Sequence, residues 1–297
     1  MRNAFIDELV SFATTNDRVA LIVGDLGYSV IEPFADRFPE RFINAGVAEQ
    51  NMMGLAAGMA SEGYQVFVYS IANFPTFRCA EQIRNDVDYH KLPVTVVSVG
   101  GGLAYGNMGY SHHAVQDYGL MRMFPNMLIA APGDPMEVRA CMRYLFANPQ
   151  PSYLRLGKAG EKCLHTSVPR AEPGRWLQIH TGNGCQHTLL TTGAPLAQAR
   201  EWLSFPGYAG YALHSMPLWS MATKPMQAEQ LAGWKSVVTI EDHLADCGFG
   251  SWLRESLENN GQFMSRVSVK ALNSKVCGMV GTQHMLNKLG GISVASE

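Results

Sequence analysis

Apolar positions along this chain cluster into short β-rich runs separated by helix-length segments. The first five runs are Val19–Val23, Gln65–Tyr69, Val94–Val99, Met127–Ala131 and Ser152–Leu156. Strands this continuously apolar have both faces buried, and helix-length spacers between them permit parallel pairing, so the pattern predicts a parallel sheet covered by helices on both sides. From Gly157 to about His187 the chain turns polar and carries Pro169, Pro173, Gly174, Gly182 and Gly184, which reads as a connection. The alternation then restarts with Thr188–Thr192, a helix through Ala197–Leu203, Tyr211–His214, Val237–Ile240 and a helix after Gly250. The expected architecture is α/β in two domains, each a mainly parallel sheet flanked by helices, at 1–165 and 187–297 with a linker at 166–186.

Composition narrows the class without changing it. The chain has 297 residues, 47% hydrophobic and 16% charged, enough apolar content for folded cores and against disorder. With 23 basic and 25 acidic residues there is no strong field for nucleic acid or an anionic membrane, so neither is expected as a partner. No stretch approaches the roughly 20 apolar residues of a membrane span, and the first residues, MRNAFIDELVSF, carry acids where a secretory signal would be apolar. A soluble, cytoplasmic protein is expected. The 6 cysteines are scattered with no C-x-x-C pair, which suggests reduced thiols, with no metal site and no disulfide framework on this chain.

Candidate chemistry begins at Phe42–Ala60, where Glu49 heads a run of small and apolar residues, Met-Met-Gly-Leu-Ala-Ala-Gly-Met-Ala. A carboxylate there is either a helix-capping acid or a functional group held in a dry site. A solvated helix would show a polar face, and this one does not.

The run G-V-A-E-Q-N resembles the glutamate motif of the pyrimidine-binding domain in transketolases, 1-deoxyxylulose-5-phosphate synthases and the β subunits of 2-oxoacid dehydrogenases. The resemblance implies that residues 1–165 form such a domain and 187–297 a transketolase C-terminal-like domain. It implies that Glu49 hydrogen-bonds N1′ of the thiamine diphosphate aminopyrimidine and promotes the imino tautomer that deprotonates thiazolium C2. Asp25-Leu26-Gly27-Tyr28-Ser29 is similar to the transketolase A-D-L-x-x-S segment, with Leu26 against the cofactor and Ser29 holding a sugar phosphate. Residues read alone, the same segment is an ordinary βα turn. Asn73–Asp86 is similar to the segment carrying the ring that stacks on the pyrimidine: Phe74 or, with a one-residue shift in spacing, Phe77, followed by the family arginine at Arg78.

The run Gly100–Asp117, G-G-G-L-A-Y-G-N-M-G-Y-S-H-H-A-V-Q-D, does not fit the dinucleotide pattern G-x-G-x-x-G and is closer to the transketolase G-x-x-G-x-T-H. That likeness assigns His112 to the substrate hydroxyl and to proton transfer, with His113 beside it also a candidate for substrate. Met108 stands where relatives have aspartate, and Gly100 near a family histidine, so an altered sugar specificity is expected. Arg155, in Pro151-Ser-Tyr-Leu-Arg-Leu-Gly, matches the strand arginine that grips a substrate phosphate in related enzymes, a task suited to its rigid fork. The segment Thr239–Ser251 is similar to a part of the C-terminal domain that relatives use for assembly, and no catalytic residue is assigned there.

Relatives bind the cofactor diphosphate through Mg²⁺ on a separate domain bearing G-D-G, and this chain has none. The resemblance therefore implies an N-terminal transketolase subunit as partner, carrying G-D-G and the Mg²⁺ ligands, with self-association to a dimer inside an α2β2 heterotetramer. The activity implied is ketol transfer between a ketose and an aldose in carbohydrate metabolism, on sugar or sugar-phosphate substrates. The alternatives are a 2-oxoacid dehydrogenase E1 β-like subunit and a non-catalytic assembly subunit of the same fold.

Overall fold

The computed structural model describes residues 1–293. Its strands, in chain order, are β1 (Val19–Val23), β2 (Phe42–Asn44), β3 (Gln65–Ile71), β4 (Val94–Val99), β5 (Leu128–Ala130), β6 (Ser152–Leu156), β7 (Leu177–His180), β8 (His187–Thr191), β9 (Ala212–Ser215), β10 (Leu218–Trp219), β11 (Ser236–Leu244) and β12 (Val267–Leu272). They form two sheets, in the orders β10-β5-β6-β4-β3-β1-β2 and β12-β11-β8-β9-β7. All pairings in the first sheet are parallel except β10 with β5, and all in the second except β7 with β9.

The five runs that the pattern picked out in the first half are β1, β3, β4, β5 and β6. Every residue of β1, β4 and β6 is buried, as strands covered on both faces require. Among the covering helices, Arg2–Thr15 and Pro135–Ala147 pack against each other, while Glu49–Ser61 lies on β3.

One expectation about organisation changes. The stretch 166–186 is not all linker, since its residues Leu177–His180 form β7 at the edge of the second sheet. Nor are the two sheets insulated. Strand β10, from the second half, pairs antiparallel with β5 and completes the first sheet. One buried cluster joins Ile22, Val68 and Tyr118 of the first half to Trp219, Phe249 and Trp252 of the second, with Trp219 in ring contact with all three of Tyr118, Phe249 and Trp252 at 5.3–5.4 Å. These large aromatics are buried against one another, so the halves share a core.

Candidate active site

Loops leaving the C-terminal ends of parallel strands carry the candidate groups, the position where open α/β sheets gather ligand chemistry. Strand β1 leads into Asp25–Ser29, β2 into Glu49, β3 into Asn73–Arg78, β4 into Gly100–His113, and β6 into Lys158.

Glu49 opens the Glu49–Ser61 helix and is 4% exposed. Its two carboxylate oxygens each accept from one guanidinium nitrogen of Arg78 at 3.0 Å. The Arg78 side chain is 49% exposed, so the pair has a dry end and a wet end. Together with Val47, Ala48, Gln50 and Asn51, these two residues line an open hollow of about 450 Å³. The guanidinium carbon lies 4.2 Å from the centre of the Phe74 ring, a cation–π contact. The Phe74 ring in turn meets His112 edge-on at 5.3 Å, and His112 meets Tyr105 at 6.3 Å. The exposed Lys158 ammonium sits 5.1 Å from the Tyr105 ring centre. Glu49, Arg78, Phe74, His112, Tyr105 and Lys158 thus form a continuous row.

The adjacent histidines face different surroundings. His112 ends the short turn Tyr110–His112, and its Nδ1 is 3.0 Å from Ser111 Oγ. Burial chiefly, then the neighbouring His113 and the positive Arg78, pull its imidazole below the ordinary histidine value, which favours the neutral form at pH 7. His113 is 1% exposed, with Nε2 3.4 Å from the Gly106 carbonyl, which pins it inside the loop. Asn73 Nδ2 donates to the carbonyls of Ser111 (3.3 Å) and His113 (2.7 Å) and so holds the histidine turn beside Phe74.

Phe77 is exposed and lies outside the row, whereas Phe74 is half-buried within it. Leu26 is half-buried against the core on the far side of β1, and Ser29 is exposed. No hydrogen bond or ring contact joins either to the row among the described residues. Asp25 and Ser29 both adopt left-handed backbone, at φ 55° and 67°, and Asn44 Nδ2 donates to Asp25 at 2.9 Å beside the loop to Glu49. Two non-glycine residues in that region within five positions mark a strained turn held by its neighbours.

Arg155 stands elsewhere than its sequence context suggests. It is 3% exposed and fully engaged: Nε donates to Asp117 at 2.6 Å, Nη1 to Asp242 at 2.6 Å and to the Tyr118 hydroxyl at 3.3 Å, and Nη2 to the Ala114 carbonyl at 2.6 Å. A guanidinium with its donors spent on two buried carboxylates has none left for a substrate phosphate. The physical reason is that the side chain points to the second half of the molecule, where Asp242 of β11 waits for it. The Gly100-Gly-Gly run has its explanation here too. A Cβ on Gly101 would lie 2.6 Å from Arg155 Nε, and one on Gly102 would collide with the Asp242 carboxylate.

The cation that does face outward at this strand end is Lys158, three residues on. Pattern reading passed over it because Arg155 matched, yet L-R-L-G-K placed both cations at one strand terminus. Asn73 and Tyr105 were missed for want of any charge to mark them. Among the described residues, no group of three or more His, Cys, Asp or Glu side chains is arranged to hold a metal ion, and no helix is long and apolar enough to cross a membrane.

Residues 1–160 match the family described as "Transketolase, pyrimidine binding domain". The chain belongs to the transketolase family. It is 34% identical over 270 residues to a putative transketolase C-terminal section of Methanocaldococcus jannaschii, covering 88% of this chain and 83% of that one. A 6-deoxy-6-sulfo-D-fructose transketolase subunit of a Clostridium species is 29% identical over 98% of this chain and 90% of its own. Among solved structures, a split gene transketolase described as an inactive β4 tetramer superposes with a TM-score of 0.82 at 30% identity, covering 98% of this chain and 93% of that one. The transketolase of Leishmania mexicana shares the fold at 17% identity with a TM-score of 0.79, this chain covering 43% of it. The chain is accordingly a transketolase-type transferase component of the C-terminal, partner-dependent kind.

Proposed function

We propose that this chain, joined to an N-terminal subunit carrying the G-D-G motif and the Mg²⁺ ligands, moves a two-carbon ketol unit between a ketose and an aldose. What supports the reading is the single row from Glu49 to Lys158, which places an acid, a half-buried ring, a neutral imidazole and an outward cation in order along one edge of the sheet.

Thiamine diphosphate fits one end of that row. A buried carboxyl at the wall of a hollow, beside a half-exposed guanidinium that lies over an aromatic ring, suits a flat ring whose nitrogen needs an acid. When bound, the cofactor supplies the carbon nucleophile and electron sink. Glu49 would hold the pyrimidine nitrogen and exchange a proton with it, and Phe74, rather than Phe77, would lie against the ring. Arg78 would keep the Glu49 carboxylate oriented. Neutral His112 can accept a proton from a substrate hydroxyl and return it. Lys158 would hold the anionic end of the substrate in place of Arg155.

The diphosphate half of the cofactor then belongs to the partner. Val47 is an exposed apolar group at the hollow, and Phe77, Tyr89 and Met123 are exposed elsewhere on the same half of the chain, as surfaces awaiting another chain would be. A related split chain is described as an inactive β4 tetramer, which supports a chain that associates with its own copies and needs a partner to complete the site; we propose an α2β2 assembly.

The test is calorimetry with thiamine diphosphate and Mg²⁺. The purified chain should bind weakly or not at all and gain affinity when the N-terminal subunit is added. Tight binding without the partner would overturn the proposal.

A further inference from the structure

The loop that carries His112 rests mainly on the second half of the chain. Leu103 and Val115, at its two ends, are buried in a small cluster whose other members are Leu272, Val276, Leu286 and Ile292. The Gly106 carbonyl accepts from the Gly281 backbone N–H at 3.2 Å, the same carbonyl against which His113 Nε2 is set. The contact is close: a Cβ on Gly106 would lie 2.6 Å from Leu286 Cδ1 and 2.7 Å from the Gly281 carbonyl oxygen. At the end of the loop the Leu244 N–H donates to the Val115 carbonyl at 3.0 Å, next to the Arg155–Asp242 ion pair. From its own half the Ser111 and His113 carbonyls, on either side of His112, receive the two bonds from Asn73.

We propose that the segment Val276–Leu289 is a positioning device for catalysis, with Leu286 and Gly281 holding the turn at Gly106 and, through it, His112 in reach of the substrate. This rests on the reading of His112 given above. Short turns such as Gly106–Met108 and Tyr110–His112 have no ladder of their own to fix them, so the surface beneath sets the direction of the imidazole. Misplacement of a reacting group by about 1 Å can cost on the order of 100-fold in rate. Leu286 is therefore a positioning residue, six residues past the exposed Val280 that borders Gly109 from the same segment.

The experiment has two arms. Hydrogen exchange of the full chain, with no substrate, compares wild type with Leu286→Ala. Exchange across 101–114 should quicken by about fivefold or more, while the Glu49–Ser61 helix keeps its protection. In the complex with the N-terminal subunit, thiamine diphosphate and Mg²⁺, with hydroxypyruvate as donor and ribose 5-phosphate as acceptor, the variant should lose about tenfold or more in kcat. KM and cofactor affinity should stay within about twofold, and Leu286→Met should restore both exchange and kcat. Should Leu286→Ala fail to fold, Gly106→Ala, whose Cβ would press on Leu286 and the Gly281 carbonyl, forces the same contact apart from the other side and is held to the same results. Unchanged exchange at 101–114 overturns the proposal, and so does a loosened loop with unchanged kcat. A wild-type complex that turns over neither this pair nor a panel of other ketose donors and aldose acceptors overturns the functional reading instead, and the exchange arm then decides separately whether the second half holds the loop.

Discussion

Replacing Arg155 with alanine separates two accounts of that residue. If it gripped substrate, the purified chain would fold normally and only KM would rise. In the structure its guanidinium neutralises Asp117 and Asp242, which are 0% and 2% exposed, and it also serves the Ala114 carbonyl and the Tyr118 hydroxyl. Removing one partner of a buried ion pair typically costs about 3–5 kcal/mol, because the remaining charge stays buried without compensation. Two carboxylates lose their common cation here, which puts the effect at the upper end, about 5 kcal/mol. At roughly 2 °C per kcal/mol for a chain of this size, melting should fall by about 10 °C. Scanning calorimetry and urea unfolding of the chain alone measure it. Arg155→Lys, which keeps a charge and loses the fork, should fall between the two. A Tm for Arg155→Ala within about 2 °C of wild type, with a raised KM in the complex, would refute the structural account and return Arg155 to the substrate.

Glu49→Gln should lower kcat of the complex by about 100-fold or more, the scale for loss of a positioned acid–base group, with little change in melting. Full activity in that variant would reduce Glu49 to a helix-end acid paired with Arg78. Lys158→Ala should raise KM for substrates with an anionic end and leave kcat near wild type, since that contact is equal in ground and transition states; a neutral-ended substrate should be indifferent to it. Glu137, fully buried with Gly133 N–H and Ser215 hydroxyl as donors, has its carboxyl pushed up to about 7, chiefly by burial. A carboxyl raised in the folded state binds more protons there than in the unfolded chain, so its contribution to stability declines as pH rises from about 4.5 to 7. Glu137→Gln should therefore be relatively more stable at pH 8 than at pH 5 against wild type in parallel melts, and a pH-independent difference would count against this.

The strands and the cofactor-side motif were legible in the sequence because both are local. A run such as Val-Ala-Leu-Ile-Val announces a doubly covered strand, and Glu49 is buried at the head of its helix, although Gln50, Asn51, Gly54, Leu55 and Gly58 leave one face of that helix exposed on this chain. The four edge strands were not: β2 and β10 have two or three residues and carry no period to read, and β7 and β12 are only partly buried and lack a continuous apolar run. Nor was the fate of Arg155, which depends on Asp242 lying 87 residues away in the chain. The same holds for His112 and His113: their adjacency is written in the sequence, but which one faces outward is decided by Asn73, Gly106 and Leu286, all brought in by tertiary contact.

Strand β10 bears on how the chain is made. Until Leu218 and Trp219 arrive, β5 is an open edge with unpaired backbone groups, the kind of surface on which chains adhere to one another. At about 5–20 residues per second of synthesis, the roughly 90 residues between that edge and its cover take on the order of 5–20 s to emerge from the ribosome. The nascent first sheet spends that interval unfinished. A fragment ending near residue 165 would remain so permanently, and a chaperone able to shield a single strand edge would matter most during this window.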